Sequence, residues 1–499
     1  MYRLHRLIAC FSLCVLLLAS PASIAAQDTV ELSELSVSTL VERVLEQDPA
    51  VINARRAVES ARNSRALTRS GVLPNVTLDL TPYSWAQNRV PTGIGGTTQR
   101  VRTQSVGAGL RVDQPLPTSG SVSLGLSNRL DINESDGTEF EQAPEATLSL
   151  RQPLFVGGQF ISDDVFRAGL RNADIGLERS RINRELTTNG TIQQALNLMV
   201  QVSSLRRSVE VLEETVAVLR RQLDAAEIDR EQGLISDNAL LALQVTLNDR
   251  RETLFDTELA LVETEQSLAR VLGVESMNGV RIVEAVPELA IDAGPAAELA
   301  ADNGEIALQD LAVEQTIQSS LLNDLQDRPN LSVNLRLAPA YPDTRSNPDE
   351  IGTSLGDFFE SDADLNASVQ LALQVPLLTS RERNARERID ELSVLQAEAS
   401  RSDTERAVLN ELQTLLINRD FLLRRVEILE TDVRFERQRV ANEQTLLEAG
   451  ATTELRVDEV ELDLLSRENE LWQVRAELFL NAVGILAARG DELGARLVE

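Results

Sequence analysis

The sequence has no lysine: all 48 of its basic residues are arginine. Cysteine is confined to Cys10 and Cys14, and the single histidine is His5. Arg3 and Arg6, an apolar stretch over 8–19 and small residues at 23–26 form the three parts of a secretory signal peptide, residues 1–26. Its apolar part is too short and wrongly flanked for a retained membrane helix. Leu7-Ile8-Ala9-Cys10 has the outline of a lipoprotein box but precedes most of that apolar part. Once 1–26 is removed, the chain holds no Cys, His or Lys. That excludes a thiol nucleophile, a Ser-His or Ser-Lys pair, a Schiff base and a Cys/His metal site. Carboxylate pairs remain, but no motif organises them. The expectation is a protein that is not an enzyme and uses no cofactor.

Three further scarcities matter. No later apolar run reaches the ~20 residues of a spanning helix, so membrane entry requires a closed β-barrel, which satisfies every backbone polar group. Aromatics are only 3% of the chain, which leaves a thin candidate interfacial girdle of Tyr83, Trp85, Tyr341, Phe358 and Phe359. Positive charge is also outweighed: the formal net charge is −30, which repels nucleic acid. Acidity without lysine fits a high-salt habitat, and fits GC-driven arginine usage equally well.

What is present is present twice. Leu73-Pro74-Asn75-Val76 corresponds to Arg328-Pro329-Asn330-Leu331 at an offset of 255. Gln152-Pro153-Leu154-Phe155 corresponds to Val375-Pro376-Leu377-Leu378 at 223, and Gly233 and Gly273 correspond to Gly450 and Gly490 at 217. Several matches at kept offsets mark an internal duplication. The first half holds a surplus of 32 residues between its two prolines. The expected division is a first repeat, 27–287, with a helix at 36–69, strands over 72–153 and a helical hairpin over 156–273. A second repeat, 288–499, has a helix at 296–327, strands over 330–376 and a hairpin over 380–490.

Six segments alternate with period two: 76–80, 106–112, 122–132, 146–150, 331–337 and 365–373. Each has one apolar and one polar face. A soluble sheet on a core and a barrel between lipid and water share this pattern. The signal peptide and the polar links over 91–99, 133–142 and 342–362 favour the barrel, with Pro117-Thr118-Ser119-Gly120 as a tight turn on the opposite side. Pro74 and Pro329 mark helix giving way to strand, and Pro153 and Pro376 mark strand giving way to helix. The proline-free stretches after Pro153 and Pro376 carry helical periodicity, and 160–231 as one helix would run for ~100 Å. Gly233 and Gly450 break them, with Ser236 and Thr453 placed to cap the returning helices.

This layout resembles the TolC family of outer-membrane efflux proteins. The residues that carry it are Leu73-Pro74-Asn75, Gln152-Pro153-Leu154-Phe155-Val156-Gly157-Gly158, the glycine-led tips at 233 and 450, and Leu268-Ala269-Arg270-Val271-Leu272-Gly273. The resemblance implies a mixed α/β membrane protein in which long helical hairpins form a periplasmic α-barrel and antiparallel strands form an outer-membrane β-barrel. It implies a homotrimer among outer-membrane lipid that extends into the periplasm. Its function would be the passive exit duct of a tripartite efflux or type I secretion system, docked to a periplasmic adaptor (membrane fusion protein) and an inner-membrane pump. It places adaptor contacts at Gly233, Leu234, Ile235 and Ser236, and at Gly450, Ala451, Thr452 and Thr453. It also points to an acidic constriction just past the second tip, for which Glu454, Asp458 and Glu459 are the candidates, although Arg456 interrupts them. A merely solvated helix face is the competing reading of those three.

The family's usual scheme has two strands per half, against four in the first half here. The segments around 106–132 are either part of the wall, giving 18 strands per trimer, or an accessory hairpin outside a wall of 12. The competing function is a periplasmic coiled-coil adaptor or scaffold, which would carry one hairpin and compact β-domains.

Overall fold

A computed structural model describes residues 34–92, 97–134, 138–156, 159–277, 279–283, 287, 289, 291, 294–326, 328–340, 364–375 and 380–498. The expected signal peptide 1–26, Pro376, the 342–362 link and the girdle candidates Tyr341, Phe358 and Phe359 lie outside the described residues. The elements follow in the order β1 (Glu34–Leu35), α1 (Val37–Gln47), α2 (Pro49–Ser70), β2 (Asn75–Thr92), β3 (Thr97–Pro115), β4 (Ser121–Glu134), β5 (Thr138–Val156) and β6 (Gln159–Phe160). Next come α3 (Asp164–Glu231), α4 (Asp237–Leu272), β7 (Arg281–Ile282), α5 (Ala296–Leu299), α6 (Gly304–Gln326), β8 (Asn330–Ala340) and β9 (Asp364–Gln374). The chain closes with α7 (Ser380–Glu448), α8 (Glu454–Arg489) and α9 (Leu493–Val498).

Two compact units result: Met1–Leu40 with Leu198–Ala285, and Val41–Asn197 with Val286–Glu499. In the smaller unit, α4 and the later part of α3 bury Val216, Val218, Leu247, Leu268 and Leu272. Arg206 donates from Nε and Nη2 to Glu265 Oε1 (2.9 and 2.6 Å) and from Nη1 to the Val280 carbonyl (3.0 Å). β1 and β7 pair in parallel, Glu34 to Arg281 and Leu35 to Ile282.

In the larger unit, α7 and α8 lie side by side, joined by four arginine–carboxylate pairs: Arg425–Glu470, Arg437–Glu468, Arg439–Asp463 and Arg475–Glu430. Because guanidinium keeps its charge and presents several donors, arginine suits such ladders better than lysine. The hydrogen bond from Arg425, backed by Arg467, holds the Glu470 carboxyl below its ordinary pKa. The core of this unit includes Ile192, Leu196, Leu412, Ile485 and Leu493. Asn189, 4% exposed, donates Nδ2 to the Asp491 carbonyl (2.9 Å) and accepts from Leu493 N (3.1 Å), which fixes the chain between α8 and α9. Asn303 does the same at α6, accepting from Glu305 N and Ile306 N and donating to the Ala488 carbonyl.

Two expectations need correction. The helix at 36–69 is two helices, α1 and α2, divided at Asp48-Pro49: Asp48 caps α2 by accepting from Ala50 N (2.7 Å), and Pro49 sits in the first turn, where no amide hydrogen is needed. Pro153 does not end its strand. It is buried inside β5, at the register shift facing Ser332, and α3 starts only at Asp164. A proline that lacks its N–H is accommodated at such an irregularity. Pro74 and Pro329 each stand one residue before a strand.

Candidate functional site

The larger unit carries a single antiparallel sheet in the order β2-β3-β4-β5-β8-β9, with the short β6 beside β5. The segments around 106–132 are therefore interior strands of that sheet. A directly opposed pair shares a face, so the register sorts the faces. Val76, Val112, Leu124, Leu148 and Leu337 form one row across five strands. Leu78, Leu110, Leu126 and Ala146 form the next. The opposite face carries Thr77, Arg111, Gly125 and Thr147 in one row, and Asn75, Asp113, Ser123 and Ser149 in another.

Among the described residues, no core packs against the apolar face. Leu78, Leu110, Leu124, Leu148, Val369 and Leu371 are all exposed, the last two at 69% and 66%. In water a patch of this extent is a liability; against lipid tails it costs nothing. The polar face contains the ion pairs Arg129–Asp131 (2.5 Å) and Arg336–Glu145 (3.3 Å). β2 and β9 each have a strand neighbour on one side only among the described residues. Tyr83 lies at the register shift between Thr81 and Ser84, and Trp85 is exposed beside it.

The 117–120 turn joins β3 to β4: Leu116 N donates to the Gly120 carbonyl (2.8 Å) and Ser119 N to the Leu116 carbonyl (3.1 Å). Gln152 buttresses it, accepting from Thr118 Oγ1 at 3.0 Å.

The two glycine tips share one backbone device. Gly233 has φ +73° and Gly450 +69°. Gly233 N donates to the Arg230 carbonyl and Leu234 N to Asp229; Gly450 N donates to Leu447 and Ala451 N to Leu446. This Schellman closure satisfies the last carbonyls of the helix and needs a left-handed residue, the conformation glycine adopts without strain. Ser236 and Thr453 then cap α4 and α8, accepting from Ala239 N and Arg456 N. Leu234 is 69% exposed, while Ile235 and Thr452 are half-buried.

Glu454, Asp458 and Glu459 fall within the first two turns of α8. Arg456 Nη1 pairs with Glu459 Oε2 at 2.7 Å, and this hydrogen bond raises the Arg456 pKa above its ordinary value. The acidic group is thus partly balanced by the arginine the sequence placed among it.

One surface went unread in the sequence. Ile417, Phe421, Ile428 and Phe435 on α7 are exposed, Phe421 at 65%. Their spacing of four, seven and seven residues puts them on one helix face. The spacing alone could have revealed the stripe; its lack of cover could not be read there.

The family model described as "Outer membrane efflux protein" matches residues 121–274 and 344–491. A search of curated proteins finds no significant match. Among solved structures, the chain is similar to the outer membrane protein VceC from Vibrio cholerae (15% identity, 91% of this chain and 96% of that one, TM-score 0.60). It is similar to the CmeC outer membrane channel of Campylobacter jejuni (11%, 91% and 85%, TM-score 0.60). It is also similar to the open MtrE outer membrane channel of Neisseria gonorrhoeae (13%, 92% and 89%, TM-score 0.60). Those identities speak to fold alone, and the fold is that of outer-membrane channels with a helical and a β part. With well over half its length matched by the family, the chain belongs to the outer membrane efflux proteins, channels of the TolC type that reside in the outer membrane and reach into the periplasm.

Proposed function

We propose that this chain is the exit duct of a tripartite efflux or type I secretion system. Three copies close one β-barrel from their sheets and one helical tunnel from their hairpins, and energy comes from the inner-membrane pump. The observation that carries this is the sheet: among the described residues, an uncovered apolar face together with two unpaired edges, β2 and β9, which closure with other copies would satisfy. The exposed stripe on α7 supports lateral contact between subunits in the same way. On this reading each repeat, 27–287 and 288–499, supplies one part of the wall and one tunnel hairpin.

The tips Gly233–Ser236 and Gly450–Thr453 dock the periplasmic adaptor. Their small residues and the exposed Leu234 let a helical tip approach closely. Tagged protein extracted gently from the source membrane should bring down a periplasmic long-hairpin protein and a pump, and the Leu234→Arg, Ala451→Arg double variant should come down without them while remaining trimeric. Retention of both partners by the variant would remove the docking assignment; a wild-type chain monomeric in detergent would remove the duct.

Glu454, Asp458 and Glu459, repeated by threefold symmetry, form an acidic ring that favours cations. Charge reversal of Asp458 and Glu459 to Arg should shift single-channel selectivity toward anions. Unchanged selectivity would leave these residues as a solvated helix face.

A further inference from the structure

The sheet contains one pattern three times. β2 opens Asn75-Val76-Thr77-Leu78-Asp79-Leu80 and β4 opens Ser121-Val122-Ser123-Leu124-Gly125-Leu126. β8 opens Asn330-Leu331-Ser332-Val333-Asn334-Leu335. A proline stands near the end of each returning segment in sequence: Pro115, Pro153 and Pro376. The pairing repeats with the sequence. The opening residue faces the residue two before that proline in every case: Asn75 opposite Asp113, Ser121 opposite Arg151, Asn330 opposite Gln374. The apolar rungs then coincide: Val76–Val112, Val122–Leu150 and Leu331–Leu373, followed by Leu78–Leu110, Leu124–Leu148 and Val333–Leu371. Even a side-chain detail is shared, because Gln114 and Gln152 each donate Nε2 to the carbonyl of the proline that follows, at 2.8 Å. Register is set by the apolar pattern, and a slip of one residue would reverse every face. Three hairpins with one register are therefore three copies of one wall unit.

We propose that the second half contributes one such unit and the first half two, β2–β3 and β4–β5, all of them in the wall. This rests on the trimeric reading above. Three chains with six long strands each then close 3 × 6 = 18 strands. β4 cannot be the subunit edge, because its ladders are already occupied by β3 on one side and β5 on the other. Among the described strands only β2 and β9 remain, so a second copy of this chain pairs its β2 with β9. Barrel diameter grows about linearly with strand number, so this wall is roughly half again as wide as one of 12 strands, within the class that leaves an aqueous channel. Gly107, Gly109 and Gly125 share the polar face with Arg111, Arg129, Arg151 and Arg336, so that bore is polar and charged. The outer-membrane exit thus suits bulky hydrophilic cargo.

The joints inside one chain supply the joint between chains. Asp113 faces Ser123 across β3–β4, and Arg151 faces Asn334 across β5–β8. Transferred through the hairpin equivalence, Gln374 of one subunit faces Thr77 or Asp79 of the next. The region after the signal peptide has no cysteine, so engineered pairs are unambiguous. Oxidation of the Gln374→Cys, Thr77→Cys chain or the Gln374→Cys, Asp79→Cys chain should give a covalent trimer on a denaturing gel, since opposed Cβ atoms lie within disulfide reach. A covalent trimer from Gln374→Cys with Ser123→Cys instead would place β2–β3 outside the wall and overturn the proposal, leaving the trimer intact. No crosslink in any pair, with the wild type monomeric in detergent, would overturn the trimer and the wall together.

A deletion gives a second measurement. Removing 75–120 joins Pro74 to Ser121 and restores the hairpin opening. Electron cryomicroscopy should count 18 strands in the full chain and 12 in the deletion; 12 in the full chain would refute the assignment.

Discussion

Leu126→Arg should abolish outer-membrane assembly, while Ser127→Arg, one residue away, should leave it nearly intact. Leu126 lies in the apolar row with Leu78, Leu110 and Ala146. Ser127 lies on the other face, opposite Gly109 on β3 and Glu145 on β5. A lipid-facing arginine near the bilayer midplane costs about 2–4 kcal/mol, whereas a lumen-facing one keeps its water. In the proposed trimer each of the three subunits carries the change, so the cost recurs three times in one barrel. The measurement is the fraction of heat-resistant oligomer in outer-membrane extracts. Equal losses for the two variants would show that the apolar face does not meet lipid.

The second large effect concerns Gly490. Gly490→Ala should lower the thermal midpoint far more than Gly450→Ala, although both glycines close a helix with the same Schellman hydrogen bonds. At Gly450, φ is +69° and an added Cβ meets nothing within 4 Å. Only the left-handed penalty applies, about 1–2 kcal/mol. At Gly490, φ is +93°, and an added Cβ would collide with the Asp302 carbonyl oxygen and lie 2.9 Å from its carbon. Asn303, next in sequence, binds the Ala488 carbonyl, so that segment cannot withdraw without losing a part-buried hydrogen bond. The expected cost exceeds that at Gly450 by on the order of 1–3 kcal/mol, the usual penalty for backbone held under strain. Circular dichroism melts of the purified variants decide it; equal midpoints would mean that the segment yields freely.

Much of this was legible in the chain itself. The alternation at 76–80 and 365–373, the helical runs and the tip glycines are local signals with fixed periods, and they give element type and face directly. The interruption at Asp48-Pro49 was also written in the residues, since an N-cap followed by proline at the first helical position starts a new helix. Pro153 misled because a proline before a helix and a proline at a strand irregularity look alike in sequence; the difference lies in whether β8 is there to pair around it. The acidic residues near Gly450 could be found by position, but the Arg456–Glu459 pair depends on rotamers that spacing leaves open.

The sequence by itself determined the duplication, the strand faces, the turn positions and the chemistry that is missing, because each depends on residue identity or on near neighbours. Tertiary structure decided the order β2-β3-β4-β5-β8-β9, the shared register of the three hairpins and which two strands lie at the edges among the described residues. Those depend on which backbone donors meet which acceptors across long separations. An alternating strand specifies what it turns toward lipid and water, and says nothing of which strand lies beside it.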